Sequence, residues 1–284
     1  MTKQNGTQSR VRVGCQGWNY DDWVTPRASD SSVFYPRATR PPAMLDAYAR
    51  AFESVEIDST FYAVPAASTV EGWRKRTPPA FTFSLKLPQI ITHQLALRRE
   101  SEEVLTEFCE RVRALGDKLA AVLVQLPPQF EATTENFTAL TEFLPLLPPD
   151  IRFHFEFRDA AWFEPTVLEL LRRGRAGLAL VEGPWVRRER VWRLMEDWRH
   201  DSAYVRWMGE RDITRFDKIV RPQDANLRAW SEHIQRLAAR RCEVFAYVSN
   251  FYEGHAPASA NKLKRLLQQP TADPDDFESQ PSLF

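Results

Sequence analysis

Polar and apolar positions alternate strictly in RFHFEFRD (152–159): Phe153, Phe155 and Phe157 fall on one side, His154, Glu156 and Arg158 on the other. A period of two predicts a β-strand with one apolar and one ionisable face. Seven more short, β-forming runs recur along the chain: VRVGCQG (11–17), SVEIDSTF (54–61), FTFSLKLP (81–88), AAVLVQLP (120–127), GLALVEG (177–183), AYVRWMG (203–209) and EVFAYVSN (243–250). Between them the spacing lengthens to that of amphipathic helices. Residues 41–52 open with Pro and place Met44, Leu45, Tyr48 and Phe52 about one turn apart. Residues 101–118 have Ser101 at a suitable N-cap and Gly116 at the end. Helical patterns also cover 135–147, 164–174, 225–241 and 259–269, while 184–202 fits either a helix or an irregular excursion.

Strand and helix alternating eight times over about 250 residues is the pattern of a (β/α)8 TIM barrel. The expected fold is therefore α/β, a single barrel of eight parallel strands spanning 11–270. A doubly wound open sheet also alternates, but no GxGxxG or P-loop follows the first strand. No Gly/Ser-rich linker divides the chain. Residues 1–10 are polar, and the acidic, Pro-containing 271–284 ends in QPSLF; both are expected to be disordered.

In a barrel one face of each strand packs under the helices and the other points to the axis. The phenylalanines of 152–159 must then face outward, with His154, Glu156 and Arg158 inward. The same parity puts Val55, Ile57, Phe83, Leu85, Val205 and Trp207 outside. Glu56, Asp58, Ser84, Lys86, Tyr204, Arg206 and Met208 then face the axis. Gln125 and Glu182 sit at the ends of the fourth and sixth strands with compatible parity, and Asn250 ends the eighth, whose parity is ambiguous. Active sites of such barrels lie at the C-terminal strand ends. The predicted mouth thus gathers Glu56, Lys86, Gln125, Glu156, Arg158, Glu182, Arg206 and Asn250. Unpaired burial of such groups costs several kcal/mol each, so they form a closed salt-bridge network or meet a polar, anionic ligand.

Composition narrows the partners. The 284 residues are 43% hydrophobic and 27% charged, with 38 Lys and Arg balancing 38 Asp and Glu. Zero net charge argues against a strongly basic nucleic-acid protein but leaves room for a local basic patch. Three scattered cysteines, Cys15, Cys109 and Cys242, with no CxxC or Cys/His cluster, predict reduced thiols and no zinc site. The first residues lack the apolar core of a signal peptide, and LAAVLVQLP is too short to span a bilayer. A cytoplasmic protein with no membrane partner is expected.

Several chemistries fit the predicted mouth. Glu56 and Glu156 suit a carboxylate pair for acid/base work. Lys86 could form a Schiff base only where desolvation or neighbouring cations lower its pKa, and neighbouring carboxylates do the opposite. Arg158 and Arg206 suit bidentate binding of phosphate or carboxylate. No cofactor is predicted. A divalent metal could draw on Glu56, Asp58, His154, Glu156 and Glu182, but there is no HxH or HExxH spacing and three cations compete for the carboxylates. Aromatic residues follow the strand ends, among them Trp18, Tyr20, Trp23, Tyr62 and Trp162; they either stack on a ligand or pack beneath loops. His93, after the third strand, is a structural hydrogen-bonder or a mouth residue. Cys15, with outward parity, is expected to be packed.

Five ordered segments, GCQGWNYDDW, FESVEIDSTFYAVP, FSLKLPQIITH, VLVQLPPQF and FEFRDAAWF, resemble the signatures of the YecE-like family of unknown function (DUF72) across about residues 11–265. The resemblance implies a TIM barrel and no established reaction. By motif position it highlights Trp18, Tyr20, Glu56, Tyr62, Lys86, His93, Gln125, Glu156, Arg158 and Arg206. The chain departs from the family pattern at three places. Glu182 replaces an aspartate, Met208 stands where a histidine is usual in an Arg-x-His-Gly pattern that reads Arg206, Trp207, Met208, Gly209 here, and Ser249-Asn250 replaces an Asn pair. Loss of the histidine removes an acid/base or metal-binding group, which puts the family's chemistry in question here.

The terminal Gln280, Ser282, Leu283 and Phe284 resemble the short peptide with which bacterial proteins dock on the replicative DNA sliding clamp. With that reading the expected function is a hydrolase acting on a phosphate-containing substrate, nucleic acid in processing or repair. Glu56, Lys86 and Glu156 would be catalytic. Trp18, Tyr20, Tyr62, His93, Gln125, Arg158, Glu182, Arg206 and Asn250 would bind substrate. Gln280, Leu283 and Phe284 would bind the partner. The alternatives are a sugar-phosphate lyase or isomerase and a non-catalytic binding barrel.

Overall fold

The computed structural model describes residues 11–26 and 33–272, and every structural statement concerns these. The strands are β1 (Val11–Gln16), β2 (Ser54–Ile57), β3 (Thr82–Lys86), β4 (Leu119–Gln125), β5 (Phe153–Glu156), β6 (Ala176–Glu182), β7 (Ser202–Trp207) and β8 (Glu243–Val248). They pair in parallel in chain order, and β8 returns to β1 to close the barrel. Outside lie α1 (Pro41–Ala51), α2 (Ala67–Lys75), α3 (Glu102–Val112), α4 (Thr134–Phe143), α5 (Pro165–Arg173), α6 (Arg188–Glu196), α7 (Asp224–Ala239), α8 (Asn250–Glu253) and α9 (Ala256–Leu266). The expected (β/α)8 barrel is the fold. Among the described residues no helix is long and apolar enough to cross a membrane. The tail residues Gln280, Leu283 and Phe284 lie outside the described residues.

The differences from expectation are local. α2 forms where the pattern identified no helix, and α6 resolves the open segment 184–202. Ser101 occupies the N-cap position of α3 but makes no side-chain cap bond. α3 ends at Val112, and a 3-10 stretch, Arg113–Lys118, carries the chain through Gly116 at φ 57°. β2 stops at Ile57 because the backbone turns into a 3-10 stretch, Ser59–Phe61.

Side-chain parity follows the alternation. Val55, Ile57, Phe83, Leu85, Phe153, Phe155, Val205 and Trp207 are buried in the layer between barrel and helices. A separate axial cluster contains Leu123, Val181, Tyr204, Phe245 and Tyr247. The axis is otherwise polar and layered. At its N-terminal end Glu243 pairs with both Arg12 (3.3 Å) and Arg152 (3.2 Å). Above this, the Tyr247 hydroxyl bonds Ser54 (2.7 Å) and Ser84 (2.8 Å), and Thr82 donates to Ser54 at 3.0 Å. His154 lies in the same region, its Nε2 at 3.2 Å from the Ser202 hydroxyl. The imidazole fits only because Gly177 faces it; a Cβ there would collide with the ring.

Candidate active site

The next layer is ionic. β7 carries Arg206 into the axis, where its guanidinium bridges Glu56 of β2 (Nη2–Oε1 2.8 Å) and Glu156 of β5. All three are 0% exposed, so neither carboxylate can touch a ligand. The Tyr204 hydroxyl donates to the second Glu56 oxygen at 2.8 Å, and Arg206 also reaches the Gln125 Oε1 at 3.4 Å. Burial pushes the Glu156 carboxyl up, but Arg206 and then Arg158 outweigh it and hold it below its usual range. Burial pulls the Arg206 guanidinium down, and the two glutamates overcome that too, leaving it raised. A charge removed from water needs such pairing.

Above this layer opens a pocket of about 420 Å³ at the C-terminal mouth. Lys86 and Arg158 stand on its floor, Arg158 tied downward and Lys86 shared between the layer below and the pocket wall. Lys86 Nζ lies 3.8 Å from Glu56 and 2.6 Å from Asp58, and Arg158 Nε donates to Glu156 Oε1 at 3.2 Å. Arg158 also stacks 4.2 Å from the ring centre of Trp185. Gln125 and Tyr20 line the pocket, and Tyr62, 72% exposed, stands on it with an uncovered ring. Tyr20 is fixed by its hydroxyl, which donates to the Gln16 carbonyl at 3.0 Å.

The other expected residues are placed differently. His93 sits in a π-helical turn, Ile90–Gln94, edge-on to Phe61 at 5.0 Å and with Nδ1 at 2.8 Å from the Thr92 hydroxyl. Burial, then Arg158, lowers its pKa. Trp18 packs edge-on against Trp73 of α2 at 6.3 Å. Asn250 is a buried pin: its Oδ1 accepts from Trp23 Nε1 (3.1 Å) and the Ala256 backbone (2.9 Å). Glu182 has the opposite parity from the axial set. It follows Leu178 and Leu180 outward, accepts from Trp230 Nε1 of α7 and pairs with Arg188 at 3.4 Å. Burial raises its pKa. The axial parity expected for Glu182 is therefore corrected: the apolar run of β6 allows either face, and its side chain turns to the helices. Trp23 and Trp162 are fully buried packing residues.

The donors considered for a metal do not converge. Glu56 and Glu156 are taken by Arg206, His154 lies toward the opposite end, and Glu182 faces α7. Among the described residues no group of three or more His, Cys, Asp or Glu could hold a metal ion. Gln16, Trp185 and Arg211 line the mouth without having been singled out. Trp185 lay in the segment whose structure the pattern left open. The three cysteines are buried and unpaired.

A closed barrel of eight parallel strands ringed by helices is the architecture of a TIM-barrel protein. The chain belongs to the family described as "Protein of unknown function DUF72", whose model matches residues 12–282. It is 27% identical over 280 residues to the UPF0759 protein YunF of Bacillus subtilis, covering 90% of this chain and 94% of that one. Over 153 residues it is 32% identical to the UPF0759 protein YecE of Escherichia coli, 54% of this chain and 50% of the relative. A crystal structure of a DUF72 family protein from Thermotoga maritima shares the fold with a TM-score of 0.73, at 24% identity over 91% of this chain and 99% of that one. One from Enterococcus faecalis does so with a TM-score of 0.68, at 19% identity over 92% and 98%.

Proposed function

We propose that the mouth binds the phosphate group of a small substrate and that the protein is an enzyme, of the hydrolase class, acting on it. The observation that carries this reading is the pair of cations, Lys86 and Arg158, on the floor of a pocket of about 420 Å³. Arg158 is held from below by buried Glu156, and Lys86 by Asp58 on the wall at 2.6 Å with buried Glu56 at 3.8 Å, which fixes their direction before a ligand arrives. Arg158 uses only Nε on Glu156, so its outer nitrogens are available to an anion. Tyr62 offers a ring face to the rest of the ligand. In this reading Glu56 and Glu156 are positioning residues acting through Arg206, Lys86 and Arg158. Asp58, beside Lys86 on the pocket wall with a side chain 37% exposed, is the carboxylate of the axial set that a ligand reaches.

The test is titration calorimetry with inorganic phosphate. Arg158→Ala should weaken binding about 10-fold or more, the scale of a lost charge-assisted hydrogen bond. Unchanged affinity in that variant would end the reading.

A second reading takes the phosphate from DNA and gives the tail a sliding clamp as partner. It rests on the motif formed by Gln280, Leu283 and Phe284. Deleting 280–284 should abolish capture by purified clamp; undiminished capture would remove it.

A further inference from the structure

Beside the mouth, between the end of β6 and α6, lies a second groove of about 870 Å³. It shares Pro184 and Trp185 with the mouth pocket, so the two cavities meet along one lip. Four arginines line it, Arg187, Arg188, Arg190 and Arg193, against two glutamates, Glu182 and Glu189. The arginines differ in how far they are committed. Arg190 is tied to Glu164 and to the Phe163 carbonyl at 3.0 Å. Arg188 is shared with Glu182 at 3.4 Å. Arg193 makes one long bond of 3.4 Å to the Glu189 carbonyl, and Arg187 makes no ion pair among the described residues. Both of these are exposed. The groove therefore has uncommitted guanidinium groups in a place where the protein supplies too few carboxylates to pair them. Guanidinium forks match phosphate oxygens in geometry and charge.

We infer that this groove is a second phosphate subsite, and that the ligand of the mouth carries two phosphate groups joined across Trp185. This rests on the mouth reading above and narrows its substrate class. Arg158, stacked on Trp185 at 4.2 Å, holds the first phosphate on one side of the lip. Arg187 and Arg193, with help from Arg188, hold the second on the other. A sugar bisphosphate and a short phosphodiester chain share this chemistry.

The experiment is calorimetric titration of inorganic phosphate, tripolyphosphate, a hexose bisphosphate and a 5′-phosphorylated dinucleotide into the wild type, Arg158→Ala and the double variant Arg187→Ala/Arg193→Ala. At least one two-phosphate probe should bind about 10-fold or more tighter than inorganic phosphate, because the second contact is made intramolecularly. The double variant should lose that gain. Which probe shows it separates the sugar source from the nucleotide source. Equal affinity for all probes, or a gain that survives the double variant, overturns the second subsite. Neither result touches the mouth reading so long as Arg158→Ala weakens inorganic phosphate. If it does not, both readings fall together.

Discussion

The two ends of the barrel axis use the same charged groups in inverse proportion. At the N-terminal end one carboxylate, Glu243, serves two arginines, Arg12 and Arg152. Toward the mouth one guanidinium, Arg206, serves two carboxylates, Glu56 and Glu156. Their settings differ more than their chemistry. The lower triad keeps contact with water, its side chains 12%, 28% and 48% exposed, whereas the upper triad is at 0% throughout. Exposed pairs contribute little to stability, and sealed ones are often no better than apolar packing. Stability alone does not explain a sealed triad. What the upper one does, and the lower one does not, is anchor two further cations, Lys86 and Arg158, facing a cavity.

The sharpest way to break this comparison is to remove its centre. Arg206→Met leaves two dehydrated carboxylates facing each other and should cost about 3–5 kcal/mol of unfolding free energy in urea. Phosphate affinity should fall with it, since Lys86 and Arg158 lose their fixed backing. A loss under about 1 kcal/mol would mean that water reaches the triad, and the contrast between the ends would vanish.

Why this arrangement was only half legible follows from what alternation encodes. In RFHFEFRD each residue's face is written in its neighbours, so Glu156 and Arg158 were placed correctly. In GLALVEG both faces are apolar, because Leu178 and Leu180 meet helices while Ala179 and Val181 fill the axis. Parity there is silent, so the axial placement expected for Glu182 had nothing behind it, and the side chain lies on the helix side. β8 hid Tyr247 in the same way. Depth along the axis is not encoded at all. Nothing in the spacing of Glu56, Glu156 and Arg206 says that they lie below the cavity floor rather than in it. α6 was recoverable: Val191, Leu194, Met195 and Trp198 repeat at helical spacing and are buried. The surrounding arginines and tryptophans obscured that stripe.

A smaller test uses pH and sets Glu156 against Glu182. Arg206 and Arg158 overcome burial and hold the Glu156 carboxyl below its ordinary 4.5. Its contribution to stability is therefore present above 4.5 and lost as pH falls through the lower folded-state value. Burial dominates at Glu182 and raises it above 4.5. Its contribution runs the other way, fully present below 4.5 and lost as pH rises through the raised folded-state value. In urea melts across pH, Glu156→Gln should flatten the acid-side loss below 4.5, and Glu182→Gln should remove a decline that begins near 4.5 and is complete once pH passes the raised value. If both variants moved the profile in the same direction, the two carboxylates would share one environment, contrary to their placement on opposite faces of the barrel wall.

The smallest effect is expected at the lower triad. Glu243→Gln removes the shared carboxylate, yet neither arginine is stranded. Arg12 keeps its hydrogen bond to the Ala80 carbonyl at 3.2 Å. Arg152 keeps the Ala120 carbonyl at 3.4 Å and its position 5.9 Å from the centre of the Phe245 ring. With water close by and these contacts intact, the loss should stay below about 1 kcal/mol and shrink further as salt is added, as for other solvent-screened pairs. Phosphate binding at the mouth should not respond, because the layer of Tyr247, Ser54 and Ser84 separates the two charged ends. A loss comparable to that of Arg206→Met, insensitive to salt, would show that the lower triad is as dehydrated as the upper. The contrast between a sealed upper triad and a solvent-screened lower one would then vanish.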